Sequence, residues 1–478
     1  MGQLLARALF DFMPARISVF LLGAVFAVAS PAQTFKTLVS FNGTDGTSPV
    51  FGSLVQGFDG NVYGTTSVGG ANGDGTVFRM TPGGTLTTLH SFDGADGLNI
   101  FGDPVIQATN GKFYGTTEAG GAHGSGTIYE MTPTGVLTTL YSFCAKTNCA
   151  DGSYPRGLVQ AANGSFYGAT CCGGAYGNGT LFKINAAGKL TTLYNFCKQT
   201  NCADGGDPFV PVQATDGNFY GTTYYGGANG SGVFFKVTPE GKLTTLYSFC
   251  TQPGCTDGSY PFGGLVQASN GDFYGTTLYG GTNNDGTVFE ITPGGTLTTL
   301  YRFGGADGAN PAASTIQATN GNFYGTTTYG GAYGNGTVFE VTGPEKLTTL
   351  YSFCAQTGCP DGDHPFAGLF QATNGNLYGT TSDGGINGHY GTIFRVGVGL
   401  GAFLETLPTS GKVGVRVTIL GNNLKGATSV TFNGTAAAFK ASSSKVTTTV
   451  PSGATTGFVE VTTPKKTLKS NVVFSVTK

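Results

Sequence analysis

Between residues 35 and 397 the hydrophobic positions fall into short β-branched or aromatic stretches bounded by Gly, Asn, Asp or Pro, and the same four stretches recur in order. One set is Leu265-Val266-Gln267-Ala268, Phe273-Tyr274-Gly275-Thr276, Thr287-Val288-Phe289-Glu290 and Leu297-Thr298-Thr299-Leu300-Tyr301. Stretches of this length and composition predict strands, and nothing in the set reads as a helix. The tetrapeptide Tyr-Gly-Thr/Ala-Thr marks the second strand, beginning at Tyr63, Tyr114, Tyr167, Tyr220, Tyr274, Tyr324 and Tyr378 at intervals of 50 to 54 residues. Seven copies of a four-stranded unit are therefore expected.

Turn chemistry fits an antiparallel meander. An Asn-Gly or Asp-Gly pair separates the first and second strands of every copy: Asp59-Gly60, Asn110-Gly111, Asn163-Gly164, Asp216-Gly217, Asn270-Gly271, Asn320-Gly321 and Asn374-Gly375. Such pairs accept positive φ and predict type I′ hairpins. Four antiparallel strands repeated this way predict a β-propeller, because sheets stacked face to face around an axis bury both faces of each. The fourth-strand motif Thr-Leu-x-x-Phe begins at Thr37, Thr88, Thr139, Thr192, Thr245, Thr299 and Thr349, so one copy precedes the first repeat and none follows the last. Strand 35 to 41 is expected to complete a seventh blade and close the ring, which removes exposed edges. An open β-solenoid, the alternative, leaves that displaced strand unexplained.

From about Leu400 the pattern changes to short alternating strands such as Val415–Leu420, Ser429–Phe432 and Gly457–Val461, which suits a small sandwich of immunoglobulin type. The expected fold is all-β: a seven-bladed propeller over 33–397, then an Ig-like β-sandwich over 398–478, with Val396 to Gly401 as the linker.

The recurrent Tyr-Gly-Thr-Thr-x-x-Gly-Gly, followed by Gly-Thr-Val-Phe and Thr-Thr-Leu-Tyr-Ser-Phe, resembles the GloVer tandem repeat of secreted bacterial proteins over residues 35 to 397. Leu407-Pro408-Thr409-Ser410-Gly411, Val417–Leu424 and Val430-Thr431-Phe432-Asn433-Gly434 resemble an IPT/TIG domain, an Ig-like fold of extracellular proteins. The resemblance implies location and architecture and assigns no biochemical activity.

Residues 1–32 carry Arg7 and Arg16, the apolar run Ile17 to Ala29 and then Ser30-Pro31-Ala32-Gln33, the layout of a secretory signal peptide cleaved after Ala32. Secretion, to the extracellular space, cell surface or periplasm, follows. The apolar run is too short to span a bilayer and no later segment has 18 consecutive apolar residues, so no membrane span is expected in the mature chain. The net charge of −2 is built from scattered single residues, which leaves no basic stripe for nucleic acid. A monomer is expected.

Ten cysteines sharpen the picture. Cys144 and Cys149, Cys197 and Cys202, Cys250 and Cys255, and Cys354 and Cys359 share one spacing and sit in loops four residues longer than the loops without cysteine. In an exported chain these predict local disulfides in preference to zinc ligands. Cys171 and Cys172 are expected to form a vicinal disulfide, with free thiols or a partner on another chain as alternatives.

Catalytic chemistry needs a cluster of titratable groups, and the four histidines fall at non-equivalent repeat positions. No nucleophile motif, phosphate loop or metal-ligand motif stands out, so no catalytic residue, cofactor or metal is expected. The loop aspartates Asp45, Asp96, Asp151, Asp204, Asp257, Asp307 and Asp361 are expected to cap turns, and Gln56, Gln107, Gln160, Gln213, Gln267, Gln317 and Gln371 to tie each blade to the next. Recognition is expected where the copies differ. Five residues after the repeat Tyr stand Val68, Ala119, Cys172, Tyr225, Tyr279, Tyr329 and Asp383. Tyr225, Tyr279 and Tyr329 are the candidate ligand-binding residues, for a polysaccharide or a cell-surface protein. An exported hydrolase or lyase, the rival function, requires His123, His389, Asp383 and Glu118 to converge.

Overall fold

The computed structural model describes residues 33–50, 52–100 and 105–477; the expected leader 1–32 lies outside the described residues. Apart from three single turns of 3₁₀ helix, the regular structure of the described residues is all β. Each of the first six repeats folds into its own antiparallel sheet with strands in chain order, as in Val55–Gln56, Val62–Thr66, Thr76–Met80 and Leu86–Ser91. In the fourth and fifth, Gly206–Pro208 and Ser259–Pro261 add a short strand beside the second strand. The last repeat supplies Phe370–Gln371, Leu377–Thr381 and Thr392–Gly397, and Thr34–Ser40 from the chain start pairs with the third of these, Phe35 opposite Val396 and Val39 opposite Ile393. The displaced first strand thus sits where the sequence places it, in a propeller-like repeat fold.

Apolar side chains gather in separate layers, each shared by two consecutive sheets. One joins Tyr63, Val77 and Phe92 to Phe113, Tyr129 and Met131; another joins Phe41, Leu54 and Phe78 to Ala372, Tyr378 and Ile393, from the first and last repeats. The repeat Tyr packs on the Phe that opens the next second strand, with ring centroids 4.2 Å apart for Tyr63–Phe113 and 3.9 Å for Tyr274–Phe323. That is why an aromatic pair recurs at this place.

The seven glutamines do what the sequence reading expects. Gln107 Oε1 accepts from Phe58 N–H at 2.7 Å, Gln160 from Thr109, Gln213 from Ala162, Gln267 from Thr215, Gln317 from Ser269 and Gln371 from Thr319. Gln56 of the first repeat accepts from Thr373 N–H of the last at 2.9 Å. The loop aspartates cap turns: Asp257 Oδ2 accepts from Thr251 N–H at 2.8 Å and from Tyr247 hydroxyl at 2.6 Å.

The four cysteine pairs of the longer loops are disulfides, as expected: Cys144 with Cys149, Cys197 with Cys202, Cys250 with Cys255, and Cys354 with Cys359. Each closes a loop after a fourth strand, and both members of every pair stand in left-handed backbone, with φ from 46 to 66°. In three of these loops the second cysteine ends a single 3₁₀ turn, as Cys149, Cys202 and Cys255 do. Cys359 closes the fourth loop without one and is buried.

The hairpin turn differs from the type I′ expectation. In the second repeat Gly111 N–H bonds Ala108 C=O while Ala108 N–H bonds Lys112 C=O, and Gly111 has φ +86° whereas Asn110 keeps a negative φ. This is a three-residue loop, a type I turn followed by a left-handed Gly. The Asn is there for its side chain, whose Oδ1 accepts from Lys112 N–H at 3.0 Å.

The C-terminal part is a two-sheet sandwich. Glu405–Leu407, Arg416–Leu420, Lys445–Thr449 and Phe439–Ala441 form one sheet; Thr435–Ala436, Ser429–Phe432, Val459–Thr462 and Thr467–Lys469 form the other. Val417, Ile419, Val430, Phe432, Val446 and Val461 fill the space between. The expected linker is not loose, because Val398 and Leu400 pack against the core between the last two repeats. The sandwich also docks on two hairpins: Ser444 Oγ donates to Phe58 C=O at 3.1 Å and Asn422 Nδ2 to Thr373 Oγ1 at 2.9 Å.

Candidate functional site

In a meander, successive connections alternate between the two ends of a sheet. Hairpins between first and second strands lie at one end, with the Ig-like domain; loops after the second and fourth strands lie at the other. Three residues after each loop Asp, at that second end, every repeat has a non-glycine residue in left-handed backbone: Ser48, Asn99, Tyr154, Asp207, Tyr260, Asn310 and His364, with φ from 48 to 57°. All seven N–H groups donate to the preceding repeat's loop, as Asp207 does to Asn178 C=O at 3.0 Å and His364 to Asn335 C=O at 3.0 Å. Left-handed non-glycine residues are held only where the surroundings over-determine them, and they cluster at functional sites. One fixed backbone therefore presents seven positions filled by Ser, Asn, Tyr, Asp, Tyr, Asn and His.

Two groups of side chains form there. In the third to fifth repeats Arg156 pairs with Asp207 at 2.9 Å and lies 4.5 Å from the centre of the Phe209 ring. Aromatic contacts continue from Phe209 to Phe262 at 5.0 Å, Phe262 to Tyr224 at 5.8 Å, Tyr224 to Tyr260 at 5.2 Å and Tyr260 to Tyr279 at 6.0 Å. Arg156 Nη1 is buried without a hydrogen bond. Glu118 is near enough to feel Arg156, and burial raises its carboxyl despite that neighbour. Burial likewise raises Asp207 against the opposing pull of Arg156.

Cys171 and Cys172 border this group. They are free thiols with sulfurs 2.8 Å apart, not the expected vicinal disulfide. Both end the strand Phe166–Cys172 and are partly buried. The contact with Cys172, reinforced by burial, pushes the Cys171 thiol up, while the contact with Cys171 holds Cys172 down to about 7 against its own burial.

The second group lies in the last repeat. His364 Nδ1 is 3.8 Å from Asp363 Oδ2 and 3.7 Å from Asp383 Oδ2, and Ser382 Oγ donates to Asp383 Oδ2 at 2.6 Å. Interaction with Asp383 raises His364, and His364 in turn lowers Asp383; burial raises Asp363.

The three candidate tyrosines do not form one row. Tyr225 donates to Asn178 Oδ1 at 2.5 Å and its ring covers Gly206, where a Cβ would come within 2.5 Å, so it packs within the rim. Tyr279 is 37% exposed and belongs to the aromatic group, whereas Tyr329, 46% exposed, stands edge-on to His364 at 5.1 Å. The proposed catalytic quartet does not assemble either. His389 and Asp383 are close enough to interact, but Glu118 sits beside Arg156 and His123 is exposed on its own loop. Arg156, Asp207, Tyr260, Asp363 and His364 escaped the sequence reading. They lie two, three or five residues after the loop Asp, at positions where the copies differ.

The model of the Gloeobacter/Verrucomicrobia repeat matches residues 18–150, 143–313 and 207–407. The chain belongs to this repeat family. Beyond its repeats, this Gloeobacter/Verrucomicrobia repeat protein carries an IPT/TIG domain matched over residues 404–476. No curated protein matches it. Solved structures similar to it include an ulvan lyase bound to an oligosaccharide, 10% identical over 76% of this chain and 96% of that one, with a TM-score of 0.44. An auxiliary nutrient binding protein from Bacteroides ovatus is 14% identical over 76% of each chain, with a TM-score of 0.42. A gluconolactonase from Xanthomonas campestris is 11% identical over 60% of this chain and 82% of that one, with a TM-score of 0.37. At such distances no activity passes to the repeat protein. Its four disulfides and IPT/TIG domain fit an extracellular setting, and no described helix is long and apolar enough to cross a membrane.

Proposed function

We propose that residues 33–478 are a secreted, monomeric, non-enzymatic binding protein, a closed seven-bladed propeller whose loop end recognises a polysaccharide. Closure is supported by the pairing of Thr34–Ser40 with Thr392–Gly397 and by the hydrogen bond from Thr373 to Gln56. The observation that carries the binding reading is the continuous aromatic group of Phe209, Phe262, Tyr224, Tyr260 and Tyr279 next to the Arg156–Asp207 pair. Aromatic faces stack on the apolar faces of sugar rings, and the Arg156–Asp207 pair places charge beside them. The Ig-like domain, docked at the opposite end, leaves this surface open and acts as a spacer.

Affinity electrophoresis of the mature chain against a panel of neutral and acidic polysaccharides tests this. Tyr279→Ala is expected to weaken binding roughly 3- to 10-fold, the worth of one aromatic contact, with the melting temperature unchanged. If no polysaccharide retards the parent chain, the partner is a protein. An exported hydrolase or lyase is the second reading, favoured by the Asp363, His364 and Asp383 cluster. New reducing ends or unsaturated products from the same panel would establish it. Export itself is tested by sequencing the secreted protein, whose expected first residue is Gln33.

A further inference from the structure

In every repeat the residue two after the loop Asp faces, across strands, the residue five after the repeat Tyr. The pairs are Thr47 with Val68, Leu98 with Ala119, Ser153 with Cys172, Gly206 with Tyr225, Ser259 with Tyr279, Ala309 with Tyr329 and Asp363 with Asp383. Six are uncharged. The seventh sets two carboxylates directly opposite each other, their backbones exchanging both hydrogen bonds, at 3.1 Å from Asp363 N–H and 3.3 Å from Asp383 N–H. Like charges in this relation destabilise a sheet unless something positive lies between them.

The surroundings point to what that is. Asp363 is only 8% exposed, and its Oδ1 is buried without a hydrogen-bond partner, an arrangement that costs free energy unless a ligand completes it. The imidazole of His364 is delivered to the same spot by the left-handed backbone, with Nδ1 3.8 and 3.7 Å from the two carboxylates. One donor atom from each of the three residues lies within 4.8 Å of the other two. Ligand atoms around a tetrahedral zinc stand about 3.4 Å apart, given bonds of about 2.1 Å, so side-chain rotations of about an ångström suffice.

We propose that Asp363, His364 and Asp383 bind a divalent first-row cation, Zn²⁺ in type, leaving a fourth position open toward solvent beside Tyr329. Two carboxylates and an imidazole suit zinc, whereas calcium wants six to eight oxygens. The site is independent of the aromatic group in the third to fifth repeats and stands whether or not that group binds sugar.

The test uses the mature chain carrying Cys171→Ser and Cys172→Ser, so that the two thiols cannot supply zinc ligands. After chelator dialysis, calorimetric titration with ZnCl₂ is expected to show one ion per chain. Asp383→Ala and His364→Asn should each weaken binding at least ~100-fold, the upper range for losing even an outer-sphere partner. Ala stands at the first position in the second repeat and Asn at the second position in the second and sixth, so both variants place residues that this fold already accepts there. His123→Gln, exposed on another loop, should bind as the parent does. Absence of zinc binding in the chain lacking these two thiols, or binding that survives Asp383→Ala combined with His364→Asn, would overturn the site. Preference for Ca²⁺ over Zn²⁺ would overturn the choice of ion.

Discussion

Gly321 sits in its hairpin at φ +87° with nothing within 4 Å of where a Cβ would be, so replacing it isolates the cost of left-handed backbone. Gly321→Ala is expected to lose about 1 kcal/mol in urea unfolding. Gly46→Ala should cost more, because its Cβ would fall within 2.3 Å of Thr66 Oγ1, which is hydrogen-bonded to Thr76 Oγ1. The Gly of each Asp-Gly loop is thus there for space as well as for φ. Glu405, on the first strand of the Ig-like domain, gives a pH handle at the same scale. Burial pushes its carboxyl up to about 7, although the residue as a whole keeps partial exposure. An acid whose folded pKa is raised holds its proton more tightly when folded. Its contribution is full below the ordinary carboxylate range and is lost as pH rises through about 7. The Ig-like domain should therefore melt at a lower temperature at pH 8 than at pH 5, and Glu405→Gln should flatten that part of the profile; an unchanged slope would exclude Glu405 as its source.

Among elements, the cysteine loops show two layers of support. Asp257 is buried and accepts from Tyr247, Thr251 and Gln252, a pattern shared with Asp151 and Asp204. The shorter loops at Asp45, Asp96 and Asp307 keep the Asp cap without cysteines. The disulfide adds loop-closure entropy, and the Cys250→Ser, Cys255→Ser pair is expected to cost about 2 kcal/mol. Asp257→Ala should cost about 3 kcal/mol, since it removes a charged acceptor and leaves its donors unpaired; urea unfolding of the two variants side by side ranks them. Strand order, the displaced strand Thr34–Ser40, the four loop disulfides and the tie made by each Gln were legible in the sequence, because they follow from period-two patterning and repetition. The hairpin type was not. Asn-Gly suits both the type I′ turn and the loop found here, and only the pairing of Ala108 with Lys112 decides between them. The state of Cys171 and Cys172 was also hidden, since spacing says nothing of whether two adjacent sulfurs bond. The varied position that holds Asp383 is legible in the sequence, but its partner Asp363 is not. The acid pair Asp363–Asp383 is visible only once strand register sets the two side by side.

On the scale of the whole molecule, the seam where the last repeat meets the first is packed differently from most of the others. In the first five repeats the repeat Tyr packs on a Phe of the next, whereas at this seam Tyr378 meets Val62, a smaller side chain that buries less area, as Tyr324 meets Leu377 at the junction before it. Three things hold the seam: the strand pairing of Thr34–Ser40 with Thr392–Gly397, the hydrogen bond from Thr380 Oγ1 to Pro49 C=O at 2.9 Å, and the Gln56 tie to Thr373. The Ig-like domain adds a fourth, since Asn422 reaches Thr373 of the last repeat and Ser444 reaches Phe58 of the first. It thus touches both sides of the junction that the chain also bridges where it runs from Thr34–Ser40 into the first repeat. Each of those hydrogen bonds is worth about 1 kcal/mol, so the Asn422→Ala, Ser444→Ala pair should loosen the seam by about 2 kcal/mol. Hydrogen exchange locates the effect: amides of Thr34–Ser40 and Thr392–Gly397 are expected to exchange roughly 30-fold faster, while the third to fifth repeats stay as they were. Uniform acceleration would mean that the Ig-like domain steadies the repeats as one cooperative body, and no acceleration would mean that it hangs from the last strand without bracing the seam.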